Sequence, residues 1–324
     1  MLKICLYFIL LLFAVSCKEK VKPVPVKIVR FDKLLPDSYK SGKFLDNLAE
    51  QYSDFLDLYT QDMVRIGELG DSTFHDNLSY FMEHPVVKGA FGRVDTVFSG
   101  LEKEELMLGE TFARYKQYFP SMPIPQVYTC VTGFNQSITT SGNLLVIGLD
   151  KYLGENDNYY ARLGIPAYQS RLMSREYIPT DAVRAMGYAY FPKNDSIFNL
   201  ASEIIYEGRN YYFAGQLLPS VPDTILFGFT KKQLDWCKAS RADMWRFLVE
   251  QKLLFTNERM HIVKLINPSP HTTYFSPDSP GRAAVWLGYE IVKAYIKENP
   301  ETSLKDLMNE PDYRNILNGS RFRP

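Results

Sequence analysis

Histidine is scarce in this 324-residue chain, with four residues at positions 75, 84, 261 and 271. They show no paired ligand spacing, and no His-Glu-x-x-His occurs, which excludes the helical zinc-peptidase signature in its usual form. Each histidine reads as a surface or loop residue. Cysteine is equally scarce, at 5, 17, 130 and 237, with no zinc-motif spacing. Neither sign of charge is in excess: Lys plus Arg is 37 and Asp plus Glu is 37. That balance excludes the basic footprint of a nucleic-acid binder. After the N-terminal stretch no apolar run approaches the roughly 18 residues of a membrane-spanning candidate. There is also no Gly-x-Ser-x-Gly nucleophile elbow, no glycine-rich phosphate loop, no internal repeat and no low-complexity block.

What is present begins at the N-terminus. Lys3 gives a short charged start, Ile4 to Val15 is apolar, and Ser16-Cys17 follows. This is the layout of an export signal, too short for a spanning helix. Phe13-Ala14-Val15-Ser16-Cys17 resembles a lipobox, with Ala14 in place of the usual leucine. Residues 1–17 are therefore expected to be a lipoprotein signal and Cys17 the lipid carrier, with several acyl chains making a lasting anchor. Residues 18–26, rich in Lys, Glu, Val and Pro, are expected to form an extended tether, with one folded domain over 27–324. Cys130 and Cys237 then remain in an oxidising compartment, either bridged or as separate buried thiols.

The coarse pattern is α+β, predominantly helical with a small mixed sheet. Val26 to Phe31 alternates like a strand, and Phe44 to Ile66 has helical spacing. Further helices are expected from Asp71-Ser72 to Glu83, stopped at Pro85, and from Leu101 to Tyr118, so that 27–120 is a helical N-terminal part. Pro125–Val131 and Asn143–Asp150 are strand candidates. Ser137 to Ser141 reads as turn chemistry before a strand. Helices resume over Thr180–Tyr190, Asp195–Phe213, Lys231–Phe255 and Ala283–Glu298, with a Pro- and Ser-rich loop over Asn267–Gly281.

Several phrases occur in one order: Gly148-Leu149-Asp150-Lys151-Tyr152-Leu153-Gly154, Leu234-Asp235-Trp236, Trp245-Arg246-Phe247, Ile266-Asn267-Pro268-Ser269-Pro270, Ser279-Pro280-Gly281-Arg282 and Val285-Trp286-Leu287-Gly288-Tyr289-Glu290. Together they resemble the GldB-type gliding-motility lipoproteins of the Bacteroidota, across roughly Val26 to Pro324. The resemblance implies an envelope lipoprotein, tied to surface motility in gliding species. Such chains are also similar to predicted zinc peptidases of gluzincin layout, which implies a zincin-like architecture over 121–324.

That layout implies two histidines four apart on one helix, a glutamate base between them, and a third ligand from a later helix. Set on the segment Ala201 to Tyr212, Tyr206 and Asn210 take the histidine positions and Glu207 the base position, while Glu250 takes the third-ligand position. The strand Asn143 to Leu149 would border the cleft. Tyr holds its phenol proton to a pKa of about 10, and Asn offers a neutral amide, so tight zinc binding is not expected. No metal and no cofactor is expected, although carboxylate and amide oxygens leave a hard-cation site open. Gly281-Arg282 before a helix is a weak anion signal.

The leading expectation is a non-catalytic envelope lipoprotein on a degenerate zincin-like scaffold, binding a protein or peptide partner. The alternatives are a metal-dependent peptidase with altered ligands, and a small-molecule or glycan-binding lipoprotein. Without an acidic cluster after Cys17, the anchor is expected on the outer membrane, facing the periplasm.

Overall fold

The computed structural model describes residues 21–41, 44–194 and 196–324. The expected export signal, Cys17 and residues 18–20 of the expected tether lie outside the described residues. Strand β1 (Val29–Arg30) runs into α1 (Phe31–Ser41), followed by α2 (Phe44–Gln51), α3 (Ser53–Asp57) and a π-helical turn over Leu58–Met63. Then come α4 (Phe74–Glu83), α5 (Pro85–Val97) and α6 (Glu102–Tyr118). Strands β2 (Gln126–Cys130), β3 (Ile138–Ser141) and β4 (Leu144–Gly148) follow. Short α7 (Asn158–Arg162) and α8 (Ala167–Ser170) lead to α9 (Ile178–Tyr190), α10 (Leu200–Leu217) and α11 (Asp223–Phe227). Last are α12 (Lys231–Ala239), α13 (Arg241–Glu250), α14 (Arg259–Ile266), α15 (Ala283–Glu298), α16 (Leu304–Asn309) and α17 (Tyr313–Gly319).

The fold class is α+β, predominantly helical, with one four-stranded mixed sheet in the order β1-β2-β4-β3. β1, β2 and β4 are parallel, and β3 pairs antiparallel at the edge. Both faces of the sheet are covered. Successive residues of a strand point to opposite faces. In β2 and β4, Val127, Leu145 and Ile147 enter the larger core, formed with the C-terminal helices. Tyr128, Cys130 and Val146 enter a second core with Phe31, Leu35, Phe55, Tyr59 and Phe74. Phe55 stacks on Tyr128 with ring centroids 4.3 Å apart. The near-continuous apolar run Leu144 to Leu149 is what burial on both faces requires.

Several expectations are corrected. The strand at Val26–Phe31 shrinks to Val29–Arg30, because Phe31 and Leu35 are one turn apart and both are buried, which favours α1. The long helix over 44–66 is broken at Tyr52 into α2 and α3 and ends in the π turn. Pro85 does stop α4, but it also opens α5, where its missing N–H costs nothing. Ser137 to Ser141 is not a turn: Ile138–Ser141 is β3, in register with Leu144 to Ile147. α10 starts at Leu200 rather than Asp195, because Asn199 and Ser202 form a reciprocal capping box. The 231–255 stretch divides at Ser240 into α12 and α13. Packing begins before Lys27, since the Val24 N–H donates to the Gly109 carbonyl of α6 at 3.1 Å.

Cys130 in β2 and Cys237 in α12 are free and buried. Burial raises both thiols, that of Cys237 to about 12. Thiolate is the reactive form, so we expect neither to react with a thiol reagent until guanidinium unfolds the chain, after which both do. Labelling in the native state would contradict this packing.

Candidate functional site

α9 packs across β3 and β4, and α10 packs on α9 and α15. The α10–α15 crossing is unusually close. A Cβ on Gly208 would meet Gly288 backbone at 2.4 Å, and one on Gly288 would meet the Ile204 carbonyl at 1.8 Å. Only two glycines facing each other allow this approach. It brings the residue beside Gly208, Glu207, toward the N-terminus of α15.

There a polar cluster forms. Tyr188 donates to Glu207 Oε2 at 2.8 Å and receives from Arg184 at 2.6 Å. Arg184 also reaches Glu207 Oε2 at 3.4 Å, and Arg282, just before α15, stands 3.6 Å from it. Arg282 donates to the Tyr211 hydroxyl at 2.8 Å. The Arg184 guanidinium lies 4.3 Å from the Tyr211 ring centroid, a cation–π contact. At the sheet end of the cluster, Tyr152 donates to Asp181 at 2.9 Å. The side chains of Arg184, Glu207 and Arg282 keep only 15%, 21% and 20% of their surface.

Burial pushes the Asp181 carboxyl up, against the pull of Arg184, the Tyr152 hydroxyl and Arg282. Burial also raises the Tyr188 phenol, which Arg184 partly offsets. For Arg184, burial works against the charge, but Tyr211, Tyr188, Glu207 and Asp181 around it prevail and its pKa rises. The arginine is a permanent cation here.

Of the four site residues expected from sequence, only Glu207 enters this cluster through its own charge. Tyr206 turns toward α9's end, donating to the Phe191 carbonyl at 3.2 Å, and its ring lies 6.0 Å from that of Tyr188. Asn210 is fully buried against Gly187 of α9, where a Cβ would meet its Oδ1 at 1.9 Å, and neither of its amide atoms has a hydrogen-bond partner. Glu250 is exposed at the end of α13, and no hydrogen bond or ion pair joins it to the other three. The histidines do not converge: His75 is exposed, His84 lies between α4 and α5, and His261 meets Tyr274 and Glu258. Among the described residues no three His, Cys, Asp or Glu side chains gather as metal ligands.

Arg184, Tyr188, Asp181, Tyr152 and Tyr211 were not singled out from sequence. The available signal was Arg184 alone in the small apolar run Ala182-Val183-Arg184-Ala185-Met186-Gly187, with Tyr188 four residues on. A charge within an apolar run needs buried partners; Asp181 on the same helix is one and Glu207 on α10 is the other.

The structure thus defines a mainly helical α+β protein with a largely buried polar cluster between two helices, one of which packs on an edge strand. The chain matches the family described as gliding motility protein GldB over residues 15–324, and it belongs to that family. Neither a curated protein nor a solved structure matches it. No helix among the described residues is long and apolar enough to cross a membrane.

Proposed function

We propose that this chain is a non-catalytic cell-envelope lipoprotein, anchored through lipid on Cys17 to the outer membrane and facing the periplasm, whose cleft binds a protein or peptide partner. The observation that supports it most is the hold of Arg184, Tyr188 and Arg282 on Glu207. In a zincin-like layout the ligand helix lies beside the edge strand and the third ligand comes from a later helix. Here β3 is one of the two edge strands and α9 packs on it, so on this reading α9 is a second candidate for the ligand helix beside α10. With α9 as that helix, Thr180, Asp181 and Arg184 stand at the His-Glu-x-x-His spacing and Glu207 would be read as the third ligand; with α10, Tyr206, Glu207 and Asn210 stand there and Glu250 is third.

A guanidinium has no lone pair to give a metal, and with Arg282 it places two positive charges where zinc would bring its own. The residues present do not fit zinc. The edge of the sheet supports a recognition reading instead: among the described residues β3 pairs with β4 on one side and with no strand on the other, so an extended segment could add there.

Two measurements test this reading. The full-length chain in detergent, supplied with zinc and analysed by metal mass spectrometry, is expected to carry far less than one zinc, as is Glu207→Gln. Stoichiometric zinc would overturn the non-catalytic reading. Affinity capture from solubilised envelopes is expected to retain envelope proteins that Glu207→Gln and Arg184→Ala, checked for unchanged melting, no longer hold. An identical retained set in both variants would remove the cleft as the binding site.

A further inference from the structure

A cavity of about 110 Å³ opens beside the polar cluster, between α11, α12 and the loop that precedes α15. An engineered apolar cavity of roughly 150 Å³ takes benzene, so this one has room for about one side chain. Leu172, Phe227, Phe229 and the prolines 268, 270 and 280 give it largely apolar walls. Arg171 and Arg282 line it as well, and among the described residues no Asp or Glu does, the Glu207 carboxylate standing behind Arg282 at 3.6 Å. Gln233 adds a further donor: its Oε1 accepts the Thr230 N–H at 3.0 Å, which leaves its NH₂ group.

The two arginines are held from behind. Arg171 donates to the Gly228 carbonyl at 2.5 Å, and Arg282 donates to Tyr211 at 2.8 Å. Each guanidinium carries five N–H donors, so both keep donors for the cavity. Arg282 is also held in a costly conformation, with φ of 65° in the left-handed region. Gly281 before it presses on the loop so closely that a Cβ would meet the Ser269 carbonyl at 2.1 Å. The loop is fixed in turn by Thr272, which donates through Oγ1 to the Pro280 carbonyl at 2.7 Å and accepts the Ala283 N–H at 2.9 Å. The proline-rich segment is therefore a built wall.

We propose that this cavity receives the C-terminal residue of a peptide partner, its apolar side chain between the aromatic and proline walls and its carboxylate on Arg171 and Arg282. This rests on the peptide-partner reading above and names the chemistry of that partner. Guanidinium groups lining one cavity suit the oxygens of a carboxylate. A neighbouring apolar wall suits a residue carrying that carboxylate better than a hydrated headgroup phosphate. Arg282 belongs to both the cavity and the Glu207 cluster, so a peptide end held here lies next to that cluster.

The test uses the full-length chain in detergent and fluorescent decapeptides selected on it from a random library with free C-termini. We expect selected peptides to bind roughly tenfold to a hundredfold more weakly when their C-termini are amidated, the loss of charge-assisted hydrogen bonds. Arg171→Met should weaken them similarly. Arg282→Gly gives a second variant, since glycine tolerates the left-handed backbone while the guanidinium is lost. Equal binding of amidated peptides, equal binding by both variants with unchanged melting, or no selected peptide at all would overturn the proposal. So would displacement by anionic phospholipid vesicles but not by unlabelled free-acid peptide, which would mark a headgroup site. If these peptide tests fail while Glu207→Gln still loses the captured envelope proteins, the broader function stands and only this cavity's assignment falls.

Discussion

Gly288→Ala is expected to destabilise the protein by about 3 kcal/mol or more, at the upper end of what overpacking costs. The direction itself is diagnostic. In a helix interior, alanine normally stabilises relative to glycine by about 1 kcal/mol. At Gly288 the added Cβ would lie 1.8 Å from the Ile204 carbonyl oxygen, so backbone must move and no rotamer change can relieve the contact. α10 and α15 would separate along a crossing where Ile204, Ile205, Ala284, Val285, Ile291 and Val292 are all buried. Gly92 in α5 supplies the contrast: a Cβ there meets nothing within 4 Å, and the residue is exposed. Gly92→Ala should therefore stabilise by about 0.5–1 kcal/mol. Urea denaturation of both variants measures the pair, and equal signs would show that the α10–α15 contact is not as close as described. The same contact also positions the polar cluster, because Glu207 precedes Gly208 and Arg282 precedes α15. Spreading the helices would part the carboxylate from the second guanidinium.

The fold class was legible because burial leaves periodic marks. The apolar run Leu144 to Leu149 announced a strand covered on both faces, and the GldB-type phrases from Gly148 onward fell in a chain that matches that family. What could not be read was which face of each helix meets which neighbour. Tyr206 and Asn210 are four apart on α10 and invite a ligand-pair reading, yet they point at Phe191 and at Gly187 respectively. Spacing along one helix is silent about the helix opposite, and here α9 supplies Arg184 and Tyr188. β3 was missed for a related reason. Ser137-Ile138-Thr139-Thr140-Ser141 has turn-forming residues, but Thr is also a good strand former on a half-exposed edge, and pairing with β4 decides. Glu250 takes the third-ligand position only by the resemblance of its segment, and α13 leaves it exposed.

Asp150→Ala is expected to cost about 3 kcal/mol or more, because it strands two buried backbone donors at about 1–3 kcal/mol each. The Asp150 side chain is fully buried and accepts the Phe134 N–H at 2.5 Å, the Thr132 N–H at 3.1 Å and the Thr132 hydroxyl at 3.3 Å. These bonds shape the turn that leads into β3, where Gly133 and Phe134 both have positive φ, at 68° and 65°. Phe134 adopts that conformation at a steric cost, so losing its anchor should release the turn and loosen the edge strand. Asp150 also sets a pH dependence. Burial raises its carboxyl from 3.8 to about 6, against the backbone and hydroxyl donors that pull it down. A raised carboxyl favours the folded state most below the unfolded value near 4, and that contribution falls away as pH rises through about 6. The rise of about two units corresponds to a loss on the order of 3 kcal/mol across that window. Asp150→Asn separates the two effects. Its amide cannot accept on both sides and so weakens the turn at every pH, but it carries no titratable group. The native protein should lose stability from this group between pH 4 and 6, and Asp150→Asn should lack that component. Parallel stability–pH curves for the two proteins would show that the carboxyl ionises as easily inside the fold as in water, and that its donors fully offset its burial.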